Sequence, residues 1–148
     1  MIRVQREDFD VGVEVAAFSA GDAGVGAICT FVGLVRGGDG NGVTAMTLDH
    51  YPGMTERQMA AIESEARSRW PLSDVLVIHR FGRLEAGARI VLVATASAHR
   101  EAAFQACQFL MDWLKTRAPF WKLEHTPGGD RWVEAKASDD ALAERWDG

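Results

Sequence analysis

The apolar residues of this chain change period several times without settling into a repeat, and that restricts the folds open to it more than any other feature. Apolar and β-branched runs at residues 24–35, 43–50, 74–81 and 88–96 read as strands, the last two flanking a turn at 85–87. Helical spacing interrupts them twice. Met59, Ile62 and Ala66 recur in a helix over 55–69, opened by Thr55 and Gln58 at capping-box spacing. Ala103, Ala106, Cys107, Leu110 and Leu114 share the apolar side of a longer helix over 99–117, which Pro119 ends because proline cannot continue it. Shorter elements complete the pattern: a strand over 2–5, a helix capped by Asp8 or Asp10 and reaching about Ser19, strands over 120–125 and 131–135 around a turn at 127–130, and a last helix capped by Ser138 and running through Trp146. The runs at 24–35 and 43–50 are expected to form a hairpin around the glycine-rich loop 36–42. Hairpins mixed with helices, in place of repeated βαβ units, predict an α+β fold with antiparallel sheets. At 148 residues the whole chain, 1–148, is expected to be one domain.

Charge and motif content remove several functions. The formal net charge is −5, so binding to nucleic acid or an acidic membrane would need a local basic patch, and neither partner is expected. The start of the chain lacks the apolar stretch of a signal peptide, and no run approaches the roughly 20 apolar residues that span a bilayer, so a cytoplasmic protein is expected. Cys29 and Cys107 have no metal-ligand spacing and read as reduced core residues, and the four histidines are widely separated, so neither a metal nor a cofactor is expected. Phosphate-binding G-x-x-x-x-G-K-[ST], G-x-S-x-G and H-E-x-x-H motifs are all missing.

Cationic positions remain. The stretch WLKTRAPFWK, residues 113–122, carries Lys115, Arg117 and Lys122 with no acid among them, interleaved with Trp113, Phe120 and Trp121. The stretch is a candidate anion site, and read more simply it is a helix C-terminus whose Lys and Arg complement the dipole. Lys115 follows Met111 by four residues and Phe104 by eleven, so it extends an apolar stripe and is expected to be partly desolvated. Lys122 alternates with Trp121 and Leu123 and should share one strand face with Phe120 and Glu124, the aromatic flanks suiting a flat heterocycle. Ser97, His99 and Arg100 stand at the start of the long helix, where free N–H groups favour a phosphate or carboxylate; Ser97 read more simply is its N-cap. Arg36 edges the glycine loop. His99 and Lys115 are sixteen residues apart, which puts them about 24 Å apart along a helix. One small ligand cannot touch both within a chain, so a shared site requires two protomers and predicts a homodimer.

Several stretches together resemble the family of large, catalytic subunits of molybdopterin synthase, the MoaE family: TFVGLVR at 30–36, LDHYPGMTE at 48–56, SAHR at 97–100, KTRAPFWK at 115–122 and GDRWVEA at 129–135. The resemblance implies an α/β hammerhead-type fold and a central homodimer with a small, ubiquitin-like subunit at each end, a heterotetramer. It further implies that this small carrier brings sulfur as a C-terminal thiocarboxylate, and that two sulfurs are placed on cyclic pyranopterin monophosphate to form the dithiolene of molybdopterin. Carried over by position, Arg36, His99 and Arg100 would hold the anionic pterin, and Lys115 and Lys122 would be catalytic at the carrier tail and the reacting pterin. The substrate-binding set also takes in Leu34 and Val35 beside Arg36, and Leu123 and Glu124 beside Lys122. A sulfur that arrives on a partner needs no cysteine nucleophile here. Two other readings of the same residues are an adaptor that only binds a carrier tail, and a phosphate-ligand protein built on the helix start at His99.

Overall fold

The computed structural model describes residues 1–38, 42–133 and 137–147, apart from the side chains of residues 137 and 138. The tip of the glycine loop, the end of the strand expected over 131–135 and the cap expected from Ser138 therefore lie outside the described residues. The elements in order are β1 (Ile2–Gln5), α1 (Val11–Ala17), β2 (Ala27–Leu34), β3 (Ala45–His50), α2 (Met54–Arg69), β4 (Leu72–Arg80), β5 (Gly82–Glu85), β6 (Arg89–Ser97), α3 (Arg100–Thr116), β7 (Phe120–Thr126), β8 (Gly129–Val133) and α4 (Ala137–Glu144). The strands form two four-stranded sheets, ordered β1-β4-β6-β2 and β5-β3-β7-β8. Every pairing is antiparallel except that of β1 with β4, so the α+β expectation is met.

The expected hairpin of β2 with β3 does not form. β2 pairs with β6 along its whole length, from Ala27 opposite Ser97 to Leu34 opposite Arg89, whereas β3 pairs with β5 and β7 in the other sheet. The chain changes sheets at the turn between β5 and β6. Val35 N–H donates to Ala88 O and Gly87 N–H to Val35 O, and a few residues later Ala86 N–H donates to Thr44 O. Gly37 is needed at this crossing, because a Cβ there would lie 2.5 Å from Ala86 Cβ and 2.6 Å from Val43 O. β5, which sequence alone merges with a turn, is short, and its pairing partner lies more than thirty residues away in the chain.

Burial follows the two periods. The first sheet packs α2 and α3 on one face, through Met59, Ile62, Ala66, Val75, Val77, Val93, Leu110 and Leu114. Its other face packs α1 through Phe9, Phe18, Leu76, Ile78 and Leu92. A third cluster, Val35, Val43, Met46, Leu48 and Leu84, lines the inner side of the second sheet. Strands covered on both faces carry continuous apolar runs, which is why β4 and β6 lack alternation. At the helix starts, Asp10 caps α1 by accepting from Val13 N–H at 3.0 Å. The cap of α2 differs from the expected box. Gly53 is the N-cap, and Glu56 accepts its N–H at 2.8 Å, while Thr55 turns inward, accepting from Tyr51 N–H and donating to Pro119 O. Ser97 is not the cap of α3 either; its hydroxyl donates to Pro71 O, and His99 occupies the N-cap without a side-chain bond. α4 is tied back to α3 by Asp112, which accepts from Arg145 at 2.9 Å and Trp146 Nε1 at 2.7 Å. No helix among the described residues is long and apolar enough to cross a membrane.

Leu92 on β6 is fully buried between layers. Leu92→Ala should lower unfolding free energy by about 2–5 kcal/mol, read from the urea midpoint with an unchanged slope.

Candidate functional site

Three cations converge where the second sheet meets the end of α3. A cavity of about 420 Å³ is lined by Leu34 at the end of β2 and Arg36 after it, Leu114, Lys115 and Thr116 from α3, Phe120, Lys122 and Glu124 from β7, and Asp139 from α4, with Met46, Ile90, Ala118 and Val133 completing it. Alternation along β7 accounts for its share: Phe120, Lys122 and Glu124 point in, and Trp121 and Leu123 point to the opposite face. Pro119 stops α3 and lets the chain reverse into β7, so two lysines seven residues apart in sequence face one space. Thr55 fixes that corner through its bond to the Pro119 carbonyl. Glu124 is held at the cavity side by Arg131 at 2.8 Å.

The two lysines are in different environments. Lys115 is exposed, contrary to the expected desolvation, since α3 ends there and Phe104, one end of the supposed stripe, is itself 61% exposed. Lys122 is the desolvated one: burial, then repulsion from Lys115, lower its pKa to about 8, with Asp139 opposing the shift. A lysine in this state supplies a neutral amine at mildly alkaline pH and a readily shed proton at neutral pH.

Of the other residues singled out in the sequence, Leu34, Arg36 and Glu124 join the two lysines in the cavity. Val35 is 1% exposed in the core between the sheets, and Leu123 lies on the far face of β7. His99 and Arg100 are exposed at the opposite end of α3 and do not line the cavity. Among the described aromatic residues only Phe120 lines it. Trp113 packs in the helical core, and Trp121 meets Tyr51 edge-on at 4.7 Å on the outer face. The thiols, distant in sequence, meet across β2 and α3; burial and the Cys29 neighbour raise the Cys107 pKa, which keeps it a protonated, unreactive thiol. Sequence reasoning missed His79, a buried ring stacked on Phe120 at 3.8 Å, and Asp139. Neither carried a signal, because a lone histidine in an apolar strand and one acid in a charged tail are ordinary. Among the described residues no three metal-ligating side chains cluster.

Comparison with known proteins gives consistent matches. A family model described as MoaE protein matches residues 4–117. The molybdopterin synthase catalytic subunit of Pseudomonas aeruginosa is 56% identical over 147 residues, covering 99% of this chain and 98% of that protein. Among solved structures, the molybdopterin biosynthesis MoaE protein from Burkholderia ambifaria is similar with a TM-score of 0.84 and 51% identity, over 100% of this chain and 98% of that one. The molybdopterin synthase from Staphylococcus aureus is similar with a TM-score of 0.80 and 26% identity, over 88% of this chain and 95% of that one.

The amine of Lys122 should titrate near pH 8, as followed by NMR of its side chain. Lys115→Ala removes a repelling charge and should move that midpoint upward by about half a unit or more; a downward move would contradict the arrangement.

Proposed function

The chain belongs to the MoaE family, and from that premise we propose that it is the catalytic subunit of a molybdopterin synthase, a sulfurtransferase of molybdenum cofactor biosynthesis working in the cytoplasm. Its substrates are cyclic pyranopterin monophosphate and the C-terminal thiocarboxylate of a small, ubiquitin-like carrier, and its product carries two new sulfurs as a dithiolene. The observation that carries the reading is the convergence of Arg36, Lys115 and Lys122 on one cavity in a chain of net charge −5. Both substrates are anions, and a partly dry, cationic cavity favours them more strongly than exposed charges would.

The lysines divide the work by environment. Lys115, exposed at the cavity edge, engages the incoming thiocarboxylate tail. Lys122, deeper and with a pKa of about 8, moves protons as each sulfur adds to a pterin carbon and the oxygen leaves. Phe120 offers an apolar face to the pterin ring, and Glu124, Leu34 and Arg36 complete the wall. The thiols take no part, since sulfur arrives on the carrier and Cys107 stays protonated.

His99 and Arg100 enter through a second copy. Separated from Lys115 by the length of α3, about 24 Å, they serve the same pterin only as residues of a partner protomer, where a helix start, an imidazole and a guanidinium suit its phosphate. The working assembly is then a homodimer with one carrier bound at each end.

Purified chain, cyclic pyranopterin monophosphate and thiocarboxylated carrier should yield, by mass spectrometry, a pterin with two added sulfurs, and a carboxylate carrier should yield none. Lys115→Ala and Lys122→Ala should each slow transfer by about 100-fold or more with the dimer intact. Near-normal rates would remove the lysine assignment, and a stable carrier complex without transfer would make the chain an adaptor.

A further inference from the structure

The floor of the cavity rests on a residue to which the reaction above assigns no role. His79 lies on β4 in the first sheet and is 4% exposed. Its ring lies 3.8 Å from that of Phe120, centroid to centroid, with 16° between the planes. Phe120 belongs to the second sheet, lines the cavity, and precedes Lys122 by two residues on the same face of β7. One side chain of the first sheet thus closes against the second beside the strand that carries the amine. A looser contact joins Phe120 to His50, its cross-strand neighbour, which lies 6.2 Å away and itself packs 4.4 Å from Phe81.

Stacking at this separation leaves no room for water between the rings. The His79 ring is also pinned within its plane, because Nδ1 lies 2.9 Å from the Arg80 carbonyl and so carries the proton it donates. Burial first, then repulsion from Lys122, Lys115 and His50, lower its pKa to about 3, and the imidazole stays neutral at any pH at which the protein works. A leucine would fill the space without a flat face for Phe120, and a lysine or arginine would add charge where two ammonium groups already repel.

We propose that His79 is a positioning residue: by stacking on Phe120 it seals the cavity floor and keeps water from the Lys122 amine, without adding a further positive charge to those of Arg36, Lys115 and Lys122. It acts through Phe120 and touches no substrate. The inference rests on the reading of Lys122 as a proton-transferring group only for its consequence in turnover, since the sealing itself is a property of the chain alone. The charged groups that act on Lys122 are Lys115 from α3 and Asp139 from α4, and Glu124 on β7 and Arg36 after β2 line the same cavity. None of them is altered by a change at His79.

The test is the titration of Lys122 in the isolated chain, followed by NMR of the labelled side chain. His79→Gln, similar in size but unable to stack, should raise the midpoint from about 8 toward the ordinary 10.5 by about one unit or more. His79→Phe restores a ring and should leave it within about 0.3 of a unit of the starting value. An unchanged midpoint in folded His79→Gln overturns the proposal. Should that variant not fold, Phe120→Leu breaks the same stack from the other side and must give the same upward shift; an unchanged midpoint there overturns the proposal equally. A merely structural role would lower the melting temperature without moving the titration. Sulfur transfer is measured separately: His79→Gln should shift the pH dependence of kcat in the alkaline direction with KM for the pterin unchanged. Wild-type transfer by Lys122→Ala would defeat the functional reading, while the titration would still decide the role of His79.

Discussion

Repulsion between the ammonium groups of Lys115 and Lys122 sets the terms for the structure around the cavity. Two like charges facing one partly dry space cost free energy that exposed lysines would avoid by moving apart. Here they cannot move far. Lys115 ends a helix whose inner face, through Leu110, Met111 and Leu114, is embedded in the main core, and Lys122 sits in a strand paired on both sides, by β3 and β8. The corner between them is fixed by Thr55, which is fully buried and bonded to the carbonyl of Pro119. The charge is relieved in two ways. Lys115 stays in solvent, and Lys122, through burial first and this repulsion second, gives up its proton more easily.

That division shows why the two lysines are not duplicates. Depth decides which of them is desolvated, and depth comes from the sheet behind β7. The stack of His79 on Phe120 and the apolar cluster around Met46, Leu48 and Leu84 together make that sheet a dry wall. Acids at the rim, Glu124 held by Arg131 and Asp139 on α4, limit the excess positive charge without neutralising it.

Much of this was open to reading along the chain. The two long helices, the paired apolar runs and the stop at Pro119 are local consequences of period and proline geometry, and they stand close to where the spacing puts them. The alternation that sends Lys122, Phe120 and Glu124 to one face needed only the strand period. Pairing partners were harder. β2 and β3 are neighbours in sequence joined by a glycine-rich loop, which is the usual sign of a hairpin, yet β6 offers β2 a longer apolar match and the chain crosses to the other sheet instead. The exposure of Lys115 is not legible in this way, because helical spacing places it in line with Met111 and Phe104 but does not say where the helix leaves the core.

The sequence by itself determined the elements, the cationic residue types and the sixteen-residue span that keeps His99 and Lys115 apart, because each depends on neighbours within a few positions or on helix rise. Only the tertiary structure decided which cations share a cavity, which lysine is desolvated and that His79 stacks on Phe120 beside it in the strand. Those are matters of distance between residues remote in the chain, and solvation is set by what packs around a group rather than by what precedes it in sequence.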